Sequence, residues 1–287
     1  MTDKTQDIDG HLPIRELSAR TQVNTVTLRA WERRYGLLKP QRTTKGHRLY
    51  SDQDVTTVER ILALVARGVS IGKVKPLLKD DDYKPEDQDD NENWKALISE
   101  LLTAVESFSV TKLEHQIQQI FSNYPIQVCR EHLIEPVFIA LSQRDDKGAA
   151  FSFMENELVR YALIRLSAKV GKKNRTHCVT LIPGNQAPPW RLALMALELT
   201  DLDFSVYLFN HAVGVATAIQ LISEFKDSDT VFYQDGVLKE NEKMLLASAL
   251  LNHKRLFLCG TAPVLSHFEQ NERVFGDLKS CIDNLQK

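Results

Sequence analysis

At residue 177 the spacing of apolar side chains changes, and that change restricts the fold more than any other feature of the chain. Upstream, apolar positions recur every three or four residues: Leu97, Leu101, Leu102 and Val105, then Leu113, Ile117, Ile120 and Phe121, with further segments at 133–141 and 158–170. That period lines one face of each helix. Breaks at 107–110, 124–125 and 144–149 divide 94–172 into a four-helix bundle. Downstream, short apolar runs (HCVTLI, DFSVYLF, TVFYQD, RLFLCG) alternate with helical patterns at 190–199, 213–225 and 242–251. Strand, helix, strand, helix demands a mostly parallel sheet, so 173–287 is expected to be a Rossmann-like α/β domain. Ligands of such folds sit outside the carboxyl ends of the strands, which directs attention to the loop after the first strand.

Charge is distributed unevenly over these parts. Residues 1–79 carry 15 Lys and Arg against eight Asp and Glu, a net +7, whereas the other 208 residues carry 21 against 30, a net −9. A basic module on an acidic body points to a polyanionic partner for the module alone. The junction, DDDYKPEDQDDNEN at 80–93, holds eight acids and one base, and reads as a solvated linker; the alternative is an acidic lid that competes with DNA for the basic face. Hydrophobic residues make up 43% and charged residues 26%, which excludes wholesale disorder and rod-like sequence. With no apolar run near membrane-spanning length and an acidic, polar start at 1–11, a cytoplasmic protein is expected. Cys129, Cys178, Cys259 and Cys281 lie too far apart for a zinc or disulfide framework and are expected to be buried thiols.

Residues 12–79 show a helix, a turn and a second helix, then a hairpin and further helices. Pro13 can open the first helix over 14–20, 21–23 turn, and Asn24 caps the second. On that second helix Leu28, Trp31 and Tyr35 form an apolar stripe, while Thr25, Arg29 and Arg33 step along an outward face. A basic, hydroxylated helix face suits the major groove, because Arg pairs bidentately with guanine and Thr reaches phosphate or a thymine methyl. After Gly36 and Pro40, Thr44-Lys45-Gly46 turns between two short strands carrying Arg42, His47, Arg48 and Tyr50, a basic wing suited to phosphates. Ser51 with Asp54 forms a capping-box variant for a helix bearing Val55, Val58, Ile61, Leu62 and Val65.

The run VTLRAWERRYGLLKPQRTTKGHRLYSDQDV, with the later RGVSIGKVKPLL, resembles the DNA-binding domain of MerR-family transcription regulators, and its wording is most similar to the MlrA and CarH branches. The resemblance covers 12–79. It implies a homodimer on a near-palindromic promoter operator in double-stranded DNA, acting with RNA polymerase, most often as an activator. It puts Thr25, Thr27, Arg29, Arg33 and Arg34 on the recognition helix and Arg42, Lys45, His47, Arg48 and Tyr50 in the wing as DNA contacts. The MlrA branch further implies biofilm or curli-type matrix genes as targets and a regulatory protein partner.

The CarH branch shares the layout of winged helix, bundle and α/β domain, and binds adenosylcobalamin through a loop resembling Gly-Glu-x-His-x-x-Gly. The matching loop here is Gly184-Asn185-Gln186-Ala187-Pro188-Pro189-Trp190, with Ala187 where the cobalt-ligating His belongs and Trp190 where the last Gly belongs. Phe121 and Glu131-His132 imitate the spacing of the branch's upper-face motif, but the register through Pro136 and Leu158 puts Asp146, Asn156 and Glu157 there instead. The expectation is a cobalamin-binding-type fold without cobalamin, no cofactor, no metal and no catalysis; a cobalamin-dependent, light-sensing regulator is the alternative. Trp190 either fills the unused corrin space or forms a protein-docking surface.

Overall fold

A computed structural model describes residues 11–44, 46–79, 91–145, 148–168, 177–268 and 270–286. The chain divides into two compact units, Met1–Phe153 and Met154–Lys287, a division that falls inside the helix Ala149–Ser167.

The first unit opens with β1 (Leu12–Pro13) and α1 (Ile14–Thr21). Pro13 stands just before the helix in extended backbone and pairs with Leu49, so it starts the helix from outside rather than as its first residue. Gln22, left-handed at φ 56°, turns the chain, and the Asn24 side chain accepts from the amides of Val26 (2.9 Å) and Thr27 (2.8 Å) to start α2 (Thr25–Ala30). Two of the helix's orphan donors are thereby satisfied. The helix runs on into a wider π turn, Trp31–Tyr35, and ends at Gly36 with φ 59°. β2 (Gln41–Arg42) and β3 (Arg48–Tyr50) form the expected hairpin, and β1 adds a third antiparallel strand in the order β1-β3-β2. Ser51 and Asp54 close a reciprocal capping box on α3 (Asp52–Ala66), which buries Val55, Val58, Ile61, Leu64 and Val65. A 3-10 turn at Ile71–Lys73 and α4 (Val74–Leu77) follow. Of the acidic stretch, residues 80–90 lie outside the described residues.

The same unit continues with α5 (Glu92–Glu106), α6 (Val110–Asn123), and a stretch made of α7 (Ile126–Cys129), a π turn (Arg130–Ile134) and α8 (Glu135–Ser142). The π turn precedes Pro136, which has no N–H to return to the preceding turn. Leu101, Val105, Leu113, Ile117, Phe121, Leu133, Val137 and Phe138 are buried between these helices. Fully burying one such side chain contributes about 1.5–3 kcal/mol. Helix α9 (Ala149–Ser167) is the fourth helix in chain order, and its first residues add Phe151 edge-on to Phe138 at 4.9 Å.

In the second unit β4 (Cys178–Pro183), β5 (Ser205–Leu208), β6 (Asp229–Tyr233), β7 (Leu256–Cys259) and β8 (Val274–Phe275) form a parallel sheet in the order β5-β4-β6-β7-β8. Leu192, Met195 and Leu199 of α10 (Pro189–Asp201) and Leu278 and Ile282 of α14 (Leu278–Leu285) pack with Val179, Leu181 and Val231 in one buried cluster. Val215, Ala218 and Ile222 of α11 (Val215–Glu224) and Leu246, Ala249 and Leu250 of α12 (Glu240–Asn252) pack with Ile182, Phe232 and Leu258 in the other. With both faces covered, the strands are apolar along their length, and the one buried hydroxyl of β4, Thr180, is satisfied by Ser228 Oγ at 2.9 Å. A short helix α13 (Thr261–Leu265) follows β7. The strand order reverses between β4 and β6, the switch point where ligands of such sheets bind. No helix among the described residues is long and apolar enough to cross a membrane. The expectation of buried thiols holds for Cys129, Cys259 and Cys281, whereas Cys178, at the start of β4, is exposed.

Candidate nucleic-acid interface

Helix α2 and its π turn present three faces with different occupations. Leu28 and Trp31 are buried in the head and Tyr35 is half-buried, as the apolar stripe requires. Arg29 and Arg33 are exposed and Thr25 is half-exposed, one turn apart, with Arg33 Nε donating to the Arg29 carbonyl at 3.4 Å. Val26 stands beside them, 58% exposed. This strip offers two guanidinium groups, a hydroxyl and an apolar tip, which are the groups that reach guanine, phosphate and thymine methyl in a major groove.

The next face carries Glu32, which sequence reasoning missed. Its carboxylate accepts from Arg48 Nε at 2.5 Å and lies 3.5 Å from Arg42, so one residue of the helix holds both arginines of the wing. The bond to Glu32 raises the Arg48 pKa above its already high ordinary value. Arg48 is therefore a strut between helix and wing; Arg42, 55% exposed at its side chain, keeps an open side. The hairpin end is built on Thr43, whose amide donates to the His47 carbonyl (2.9 Å) and whose hydroxyl accepts from the His47 amide (3.0 Å), and His47 is exposed. Lys45 lies outside the described residues.

Two of the expected contacts are interior. Thr27 is fully buried, because it follows Thr25 by two residues and so points about 200° round the helix, into the head. Tyr50 is also fully buried, at the end of β3. Neither hydroxyl finds a hydrogen-bond partner among the described residues, and burial pushes the Tyr50 phenol up to about 12. Arg34 is exposed but engaged: its guanidinium donates to Asn123 Oδ1 at 3.2 Å and to Ser122 Oγ at 3.4 Å. The structure thus brings Thr25, Arg29, Arg33, Arg42 and His47 to accessible positions and removes Thr27 and Tyr50 from the expected set.

The switch-point crevice of the second unit is built differently. A Cβ on Gly184 would stand 1.9 Å from Gln234 Oε1, and one on Gly236 would stand 1.7 Å from Gln186 Oε1, so the two glutamines lie directly over the two glycines. Ala187 and Trp190 are buried, which makes Trp190 a filling residue rather than a docking surface. Arg191 lies over the Trp190 ring at 5.2 Å and donates to Tyr233 Oη at 3.0 Å, with Asp235 3.6 Å away. Asp235 in turn accepts from the Thr261 amide at 2.9 Å. Burial raises the Tyr233 pKa far above the usual phenol range. These residues do not fit a corrin: where the resemblance calls for the cobalt-ligating His stands the buried methyl group of Ala187, and where it calls for the last glycine stands the buried ring of Trp190. No group of three or more metal-ligating side chains occurs among the described residues, and His132 of the Glu131-His132 pair stacks on Trp94 at 5.7 Å.

Residues 12–81 match the MerR HTH family regulatory protein family. The chain is 35% identical over 163 residues to the HTH-type transcriptional regulator MlrA of Escherichia coli K12, which covers 56% of this chain and 65% of that one. It is 32% identical over the same length to MlrA of Salmonella typhimurium SL1344. The match thus spans less than two thirds of the length of these relatives. The HTH-type transcriptional repressor CarH of Myxococcus xanthus is 24% identical over 209 residues, 67% of this chain and 68% of that one. The monomethylamine corrinoid protein of Methanosarcina barkeri superposes with a TM-score of 0.43 and 11% identity over 67% of this chain and 98% of that one.

Proposed function

Residues 12–81 are a MerR-type helix-turn-helix domain, and from that premise we propose that the chain is a sequence-specific DNA-binding transcription regulator of MlrA-like type. The observation that carries the reading is the open strip Thr25, Val26, Arg29 and Arg33 beside a wing with Arg42 and His47 exposed. In this reading a homodimer sits on a near-palindromic promoter operator and acts on RNA polymerase as an activator, with biofilm or curli-type matrix genes as targets and a regulatory protein as possible partner. Those finer points are what the resemblance to the MlrA branch implies. Residues 12–79 form the head and 80–93 the linker, and the α/β domain at 173–287 is a cobalamin-type fold turned to another use. The cobalamin-dependent alternative predicts that adenosylcobalamin keeps its colour on the protein through gel filtration; the buried Ala187 and Trp190 favour a colourless peak.

The test is a genome-wide footprint of wild-type protein beside Arg29→Ala, with binding to the recovered site measured against salt. Discrete two-fold peaks at promoters, lost in the variant, support the reading. Affinity should fall steeply with salt, by roughly 0.9 decade per decade of salt for each phosphate neutralised. Absence of any site preference together with a flat salt response would sink it.

A further inference from the structure

We propose that Asn123 is a positioning residue for DNA reading: it holds the recognition helix to the bundle and so sets the angle at which the open strip is presented. The consequence for DNA rests on the reading above; the attachment itself rests on geometry. Asn123 is the last residue of α6, where helical carbonyls have no partner within the helix. Its main-chain oxygen accepts from Trp31 Nε1 at 2.8 Å, and its side-chain Oδ1 accepts from Arg34 at 3.2 Å and from Tyr35 Oη at 3.1 Å. Guanidinium groups only donate, so the amide oxygen rather than the nitrogen must face Arg34. Trp31, Arg34 and Tyr35 are three and four residues apart and converge on one side of the helix, whereas Thr25, Arg29 and Arg33 step along another. One asparagine, 88 to 92 residues away in sequence, thus collects three bonds from the non-reading side of α2.

A second attachment makes the first separable from folding. Trp94 Nε1 donates to the Val65 carbonyl at 3.0 Å, and the Tyr124 hydroxyl accepts from the Ile71 amide at 3.4 Å, with the Trp94 and Tyr124 rings 5.1 Å apart. These contacts grip α3 and the turn after it, not α2. Removing the Asn123 side chain leaves the head fixed to the bundle through α3 and keeps the Trp31 bond to the Asn123 main-chain oxygen and the Arg34 bond to Ser122, while loosening the hold on the end of the recognition helix and so its tilt. Non-specific affinity depends on charge and tolerates such a change. Specific affinity depends on simultaneous contacts to base edges and does not.

The experiment compares full-length wild type, Asn123→Ala, Asn123→Asp and Tyr35→Phe. It reads affinity for a duplex selected by the wild type from a random pool, affinity for poly(dI-dC), and amide hydrogen exchange over 25–36. The expected result for Asn123→Ala is about a tenfold loss of specific affinity with non-specific affinity unchanged and faster exchange in α2, because two side-chain bonds of ordinary strength are lost. Asn123→Asp keeps the acceptor and should restore both, and the specific-to-non-specific ratio is the readout that a merely structural role would not move. Tyr35→Phe removes one hydroxyl and should shift both readouts the same way by a smaller factor, and it serves in place of Asn123→Ala should that variant not fold. Wild-type values of the specific-to-non-specific ratio and of exchange in Asn123→Ala and Tyr35→Phe overturn the proposal. If even the wild type selects no sequence, the DNA reading fails; the exchange data then decide the attachment, faster exchange rescued by Asp supporting it and unchanged exchange refuting it.

Discussion

The reading strip of α2 and the switch-point crevice of the parallel sheet both lie where folds of their kind meet ligands, yet the chain leaves one open and covers the other. On α2, Arg29, Arg33 and Val26 face outward while neighbouring faces are tied down by Glu32 and Asn123. In the crevice, Gln186 and Gln234 lie over Gly236 and Gly184, and Arg191, Tyr233 and Asp235 bond to one another. The difference teaches that a binding position is identified by what its polar groups lack rather than by its place in the fold. Substitutions should accordingly separate: in the crevice they cost stability, on the strip they cost affinity.

The largest expected effect is at Gly260, which has φ 103° and whose added Cβ would stand 2.4 Å from the Gln234 carbonyl oxygen. Gly260→Ala should destabilise the second unit by about 3 kcal/mol through backbone strain and overpacking, read by denaturant unfolding, with site binding by the folded protein unaltered. Wild-type stability there would mean that the crevice is looser than its geometry. Arg29→Ala is the mirror image: operator affinity should fall by about 1–3 kcal/mol with no change in melting. A variant that binds normally would show that Arg29 reads no base.

Glu32→Gln tests the boundary between the two behaviours, because Glu32 is largely buried yet belongs to the DNA-facing head. It should lower head stability by about 1 kcal/mol and loosen the wing, measured as faster amide exchange at 41–50. The smallest effect concerns Tyr50. Its phenol keeps its proton in the folded head up to about 12, while an unfolded chain loses it near 10. The folded state then binds more protons than the unfolded, so stability falls as pH rises through that interval. Tyr50→Phe should remove that slope and cost little near neutrality, as the hydroxyl has no partner among the described residues. An unchanged slope in chemical denaturation between these pH values would assign it to other groups.

Much of this was legible in the sequence, and what was not has a common physical cause. The Asn24 cap, the Ser51–Asp54 box, the hairpin and the change of period at 177 are local patterns, and the structure reproduces them. Thr27 and Tyr50 enter the expected contacts through the family resemblance, which carries over positions and not burial; helical phase alone excludes Thr27. The third strand of the wing, Leu12–Pro13, pairs across 36 to 38 residues and has no local signal. Glu32 as a tie to the wing, Asn123 as a tie to α2, and the glutamines over the crevice glycines are likewise contacts between distant segments. Periodicity reports which face a residue is on, and nothing about what meets it there.

The bond between Glu32 and Arg48 has a consequence for how sequence preference is inherited and engineered. A reading helix grafted into a relative without both Arg42 and Arg48 would carry a largely desolvated carboxylate with no cation opposite it, and a grafted wing would carry the reverse fault. Helix and hairpin should therefore change together in evolution, and a designer who wishes to redirect this head to a new promoter should transplant 24–50 as one cassette.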